Sequence, residues 1–317
     1  MTTLLDRLST TRGIFRTTVL IKRVNVLTLL VSAYVVLLPF QIPINNNINA
    51  APADAFLLLI LVLAPGLLKY RKSVWTIWHF ALLMTFAVST FVTALDVGDL
   101  SNYVWLNKDV GLLLLILSYA AITSVVADWD QVRYILRLFT ISVVIQNQVA
   151  VGAFLMAYFS GVNVEPLFTS YGGQRLSGVL FDANAYGGLL ALAFMICEGA
   201  SWGRSPLFRG GLLLYCRLSL GMGLLLTFSR SAWISVFVSI LLLCAFRPNK
   251  GIKFALAGMT AAPCLLLLMG HRFTLIVESM AGRPEQGVSR IQLIRDAWAQ
   301  FVQHPLWGGW ARYLRCE

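Results

Sequence analysis

Apolar runs long enough to cross a lipid bilayer recur along almost the whole of this chain, and a water-soluble fold has no room for them. A hydrocarbon core about 30 Å thick takes roughly 20 residues of helix. Candidate runs lie at roughly 24–40, 54–68, 74–95, 105–127, 138–160, 184–200, 211–227, 231–246 and 253–270. In lipid every backbone N–H and C=O must be bonded internally, so runs of this length read as helices. Only 12% of the 317 residues are charged and 58% are hydrophobic. That charged share is about half what a soluble domain carries. The expected fold is all-α: a polytopic transmembrane helical bundle of about nine spans. Residues 1–270 make the bundle, and 271–317 form an extracytoplasmic tail.

The net charge of +11 is explained by membrane topology. Lys and Arg gather in cytoplasmic loops. With the N-terminus inside, the loops after spans two, four, six and eight all fall inside. They carry Lys69, Arg71 and Lys72, then Arg133 and Arg137, then Arg204 and Arg209, then Arg247, Lys250 and Lys253. The alternate short loops carry Lys108, Arg175 and Arg230, one each. The N-terminus is basic and then apolar, like a signal peptide. Its apolar run is long for one and further spans follow, so it reads as an uncleaved first span. No nucleic-acid-binding motif accompanies the charge.

Five cysteines (Cys197, Cys216, Cys244, Cys264, Cys316) are widely spaced, with no CxxC among them, and read as small hydrophobes. His79, His271 and His304 lack metal-ligand spacing. No metal site is expected.

Three motifs stand on the expected outer side. The first runs from Arg175 through Asp182 and Asn184 to Gly187 and Gly188. Asp182 or Asn184 suits a helix cap, and the glycines suit close helix packing. Arg175 either snorkels to headgroups or binds an anion. The second is Thr227-Phe-Ser229-Arg230-Ser231-Ala-Trp233, at a tight turn between spans seven and eight. Arg230 is either an interfacial cation beside a belt Trp or part of an anion site at the start of span eight. The third runs from Ser289 and Arg290 to Pro305 and Gly308. Ser289 and Gln292 suit a capping box. Ile291, Ile294, Ala297 or Trp298, and Phe301 recur at helical spacing, giving an amphipathic helix on the membrane or over the bundle. Arg175, Arg230 and Arg290 suit a shared diphosphate, because a guanidinium binds phosphate oxygens in pairs and stays charged. Gln146, Asn147 and Gln148, inside span five, suit interhelical hydrogen bonding.

The strings RLSGVLFDANAYGG, TFSRSAWI and SRIQLIRDAWAQFVQHPLWGG occur in that order. Together they resemble the O-antigen ligase and polymerase superfamily of bacterial polysaccharide assembly, over roughly residues 170–310. The resemblance implies a metal-independent membrane glycosyltransferase with no cofactor, in the bacterial cytoplasmic (inner) membrane. Its donor is a glycan on undecaprenyl diphosphate, and its acceptor is a lipid or another glycan (as in lipopolysaccharide or exopolysaccharide assembly), alongside other polysaccharide-assembly membrane proteins. By the same resemblance Arg175 and Arg290 hold the diphosphate, and Arg230 is the arginine of the family's Ser-Arg turn. Asp182, Asn184 and Ser229 support them.

The resemblance also implies a histidine base in the large outer loop, and the sequence departs from it there. The proline-leucine is followed by Gly308-Gly309-Trp310 and then a basic end. His304 precedes the proline and His271 ends span nine, so neither matches the family's base. A neutral histidine taking the acceptor's proton would contribute roughly 100-fold. Residues 1–317 thus hold the arginine half of the chemistry. Little or no transfer by this stretch alone is the expectation, as for a truncated product. Two other classes stay open: a lipid-linked glycan transporter or flippase, and a non-catalytic assembly scaffold. The acidic residues Asp54, Asp96, Asp109 and Asp128 fall near span ends, which speaks against ion-coupled transport.

Overall fold

The computed structural model describes residues 26–45, 48–63, 75–97, 110–164, 168–170, 175–203, 205–251, 292, 294–299 and 301–302. Helices stand at eight of the nine expected spans: α1 (Val26–Leu37), α2 (Pro52–Leu63), α3 (Trp75–Val97), α4 (Gly111–Val125), α5 (Trp129–Ser160), α6 (Ala183–Trp202), α7 (Gly210–Leu226) and α8 (Arg230–Phe246). The ninth, at 253–270, lies outside the described residues. α5 and α6 are long and apolar enough to cross a membrane, while α1, α2, α4, α7 and α8 are shorter apolar helices.

Two expectations change. The loop at 41–53 contains an antiparallel ladder, β1 (Ile42–Asn45) with β2 (Ile48–Ala50), pairing Ile42 with Ala50. A second short ladder pairs β3 (Thr169–Ser170) with β4 (Arg175–Leu176). Arg133 and Arg137, expected in a loop, are helical. The reason is a side-chain cap built by Asp128 and Gln131. The Asp128 carboxylate accepts from the Gln131 N–H at 2.9 Å, and the Gln131 side chain accepts from the Ala127 N–H. This starts α5 nine residues ahead of the apolar run. At its far end Gly161, with φ 67°, closes the helix by donating to Ala157. Its 32 residues give a length of about 48 Å, well beyond the hydrocarbon thickness.

α5 joins two groups of helices. On one side α1 packs on α2, α4 and α5; on the other α6 packs on α5, α7 and α8. The polarity of α5 is inverted relative to a water-soluble helix. Thr140, Ser142, Gln146 and Asn147 are buried, while Ile141, Ile145, Val149 and Phe159 are exposed. Apolar groups facing outward suit lipid, and several of the buried polar groups find partners on other segments. Gln146 donates to the Pro39 carbonyl at 2.9 Å, Ser142 to that of Val36, and Ser32 bonds the Tyr134 hydroxyl at 3.4 Å. These three pairs advance together along both chains, so α1 and α5 run parallel.

The two ends of the second group differ in chemistry. At one end Arg137 donates to the Leu207 carbonyl at 2.9 Å, and Lys250 to that of Trp202 at 2.8 Å. The start of α5, the α6–α7 connection and the chain after α8 therefore meet at one basic end. Near it, fully buried Glu198 on α6 pairs with Arg217 on α7, and also accepts from Trp202 Nε1 at 3.1 Å.

Glu198 is the buried member of this pair, while the Arg217 side chain keeps 33% exposure. Removing the arginine strands a buried carboxylate; removing the carboxylate strands a cation that can reach water. Arg217→Leu is expected to destabilise the detergent-purified protein by about 3 kcal/mol, and Glu198→Leu by clearly less. Thermal unfolding of the two variants side by side tests the ranking, and equal losses would contradict it.

Candidate functional site

The end opposite the basic one is built from three segments: β4 with the turn into α6, the start of α6, and the α7–α8 turn. A single 3₁₀ turn (Gly178–Leu180) leads from β4 to α6. Asp182 is the α6 cap, its carboxylate accepting from the Asn184 N–H at 2.8 Å. Asn184 itself is exposed in the first turn. Gly178, at φ +55°, lies directly on the Tyr186 ring, and a Cβ there would come within 2.6 Å of Cε2.

Arg175 reaches across to the α7–α8 turn. Its Nε donates to the Thr227 carbonyl at 2.9 Å. Its Nη2 donates to Asn184 Oδ1 at 3.0 Å and to the Phe228 carbonyl at 3.5 Å. The cation thus sits on the carbonyl end of α7, where the helix dipole favours it. Arg175 and Asn184, nine residues apart in the first motif, are bonded directly.

The α7–α8 turn is tightly braced. Thr227 Oγ1 bonds the Leu224 carbonyl at 2.8 Å and accepts from the Ser229 N–H at 3.3 Å. The Trp233 indole donates to the same Leu224 carbonyl at 3.0 Å. Ser229 is fully buried and stands at the cap position of α8, its hydroxyl 3.1 Å from that of Ser231. Arg230 follows, exposed in the first turn of α8. Gly187 lets α6 close on this turn: a Cβ there would stand 2.8 Å from the Ser229 Cβ and 3.1 Å from that of Ala232. Both helix entries are preceded by a phenylalanine in the left-handed region, Phe181 at φ 59° and Phe228 at φ 50°. Such backbone costs of order 1–3 kcal/mol each and persists only where its surroundings enforce it.

Arg290 and Ser289 lie outside the described residues, as do His271 and His304. Of the third motif, residues 292, 294–299 and 301–302 are helical. Ile294, Trp298, Phe301 and Val302 are exposed, and the Trp298 and Phe301 rings pack at 5.6 Å. Gln292 donates to Asp296 across the polar side at 3.1 Å.

Residues 216–311 match the family model described as O-antigen ligase. Over that stretch the chain is similar to the O-antigen ligase family. Comparison with curated proteins and with solved structures found no match. The matched stretch begins within α7 and contains Arg230 and Arg290, while Arg175 lies upstream of it. That similarity supports a membrane protein with a part in polysaccharide assembly.

Sequence reasoning quoted Thr227 and Tyr186 within its motifs but gave them no role, because their role lies in contacts to backbone and to a distant helix. It also missed Glu198, a carboxylate within span six, having placed the acidic residues near span ends. Glu198 is nonetheless satisfied by Arg217, Trp202 and Ser201, so it adds no support to ion-coupled transport.

Arg175→Ala is expected to loosen the α7–α8 turn, removing two bonds to carbonyls and one to Asn184. The loss is about 1–3 kcal/mol. Arg175→Lys is expected to recover little of it, because one ammonium has no planar fork to span all three acceptors. Thermal unfolding and protease cutting near residue 228 measure both; full recovery by lysine would show that charge alone matters.

Proposed function

We propose that this protein transfers or polymerises a glycan carried on undecaprenyl diphosphate, at the outer face of the cytoplasmic membrane. The observation that carries this reading is the meeting of Arg175 and Arg230 at one turn, where α8 begins. The free N–H groups and partial positive charge of a helix start favour an anion. Arg230 sits there exposed, and Arg175 braces the turn through the carbonyls of Thr227 and Phe228. In this reading Arg290 supplies a third guanidinium from the outer loop, and Ser229, Asn184 and Asp182 hold the frame. As the sugar–phosphate bond breaks, charge grows on the diphosphate. Cations already held in place stabilise that charge without reorganising.

The same reading places the N-terminus in the cytoplasm, with about nine spans and the arginine end outside. Two observations favour it. The basic end gathers connections expected on the cytoplasmic side, and α1 runs parallel to α5 as odd-numbered spans should. Single cysteines at Val162 and Arg209, in an otherwise cysteine-free chain, test it. A membrane-impermeant maleimide is expected to label Val162→Cys in intact spheroplasts, and Arg209→Cys only after permeabilisation. The reverse pattern would invert the topology and move the site to the cytoplasm.

For the chemistry, the surface glycans and lipid-linked glycans of a deletion strain are compared with those of its parent. A ladder collapsing to single repeats assigns a polymerase. Polymer accumulating on its carrier lipid at the outer face assigns a ligase. Donor accumulating at the inner face would assign a flippase, and two unchanged profiles would remove the assignment. In the purified full chain, Arg230→Ala is expected to weaken binding of farnesyl diphosphate by about 10- to 100-fold, the worth of a charge-assisted contact. Unchanged binding would take Arg230 out of the site.

A further inference from the structure

The strongest groups left unused by this reading lie below the arginine end, inside the bundle. Tyr186 is fully buried and donates its hydroxyl proton to Asn147 Oδ1 at 3.0 Å. Asn147, also fully buried, donates through Nδ2 to the Ser219 carbonyl at 2.7 Å and to Ser219 Oγ at 3.2 Å. Gln148 reaches the same Ser219 hydroxyl at 2.7 Å. The contact between α5 and α7 is close because residue 223 is glycine: a Cβ there would fall 2.0 Å from Asn147 Oδ1. Three helices are thus tied at one depth by one asparagine.

At its upper end this connection touches both halves of the arginine site. The Tyr186 ring carries Gly178, and so the short segment that begins with Arg175. Tyr186 also lies two residues after Asn184, the side-chain partner of Arg175. The next residue, Gly187, is the one that meets Ser229 and Ala232 beside Arg230. A shift of Tyr186 therefore moves the supports of both arginines at once.

We propose that Tyr186, Asn147 and Ser219 form a buried strut that fixes Arg175 and Arg230 relative to each other at the end of the bundle where an isoprenyl diphosphate would bind. The proposal rests on reading the arginine end as a diphosphate site. These three are positioning residues: they touch one another and the frame of the site, and the arginines carry the charge.

The test uses the purified full chain in detergent, with farnesyl diphosphate as the probe. Tyr186→Phe removes one oxygen and leaves the ring under Gly178. It is expected to weaken binding about three- to tenfold, the worth of one buried hydrogen bond. Ser219→Ala keeps the carbonyl bond to Asn147 and removes the hydroxyl that Asn147 and Gln148 reach, so a smaller loss in the same direction is expected; it stands in if Tyr186→Phe does not fold. In the Arg230→Ala background either change is expected to add little, because the strut acts through the arginines. Glu198→Leu, at the basic end, serves as the control for general softening: it is expected to lower the unfolding temperature without weakening binding. Normal binding by both Tyr186→Phe and Ser219→Ala, with loss in Arg230→Ala, overturns the strut and leaves the site standing. Equal weakening by Glu198→Leu also overturns it. If the unaltered chain does not bind the probe, the site and the strut fall together.

Discussion

The guanidinium of Arg175 closes on the last carbonyls of α7, and the geometry of the whole arginine end follows from that contact. A helix that stops inside a bundle leaves carbonyls without partners. Here a side chain from a separate strand supplies the donors, 52 residues away in sequence for Thr227. The same group holds Asn184 in the first turn of α6. One cation therefore joins the end of one helix to the start of another, and the third helix begins within the same turn. Two satisfied carbonyls and one satisfied amide make this junction directional, which apolar packing between the same helices would not.

Directional contacts matter more here than in a water-soluble bundle. Lipid tails are as apolar as leucine, so burying leucine against leucine gives little reason for two helices to meet. What sorts the helices is a set of polar residues with specific partners: Gln146 for the end of α1, Asn147 for α7 and Tyr186, Glu198 for Arg217. Small residues let these partners approach, as Gly223 does under Asn147 and Gly187 beside Ser229. The outward faces then need only be greasy, and Ile145, Val149 and Phe159 on α5 are.

Hydropathy made the helices legible, and every described span carries one. It failed at the start of α5, because Asp128 and Gln131 set the boundary through a local cap and not through apolar content. It also misread Arg133 and Arg137 for the same reason. The site was half legible. Asp182 could be read as a cap, because the chemistry of capping is local. The partner of Arg175 could not, since every residue carries a carbonyl and sequence gives no hint which one is left over. Asn147 was visible as a polar residue in a span, but its partner Ser219 is 72 residues distant. Arg290 and the ninth span fall outside the described residues.

Phe181 and Phe228 carry a further consequence. Each holds a backbone shape that suits glycine or asparagine, immediately ahead of a helix that builds the arginine end. Glycine at either position would relieve the torsion in the folded chain, while adding freedom to the unfolded one. The Phe228 ring, however, rests edge-on against Trp233 at 6.2 Å and is almost fully enclosed. A glycine there would relax the main chain and empty the space behind the α7–α8 turn in the same stroke. Conformational thermostabilisation and the integrity of the turn are therefore opposed at one residue, and an engineer has better prospects among the lipid-facing side chains.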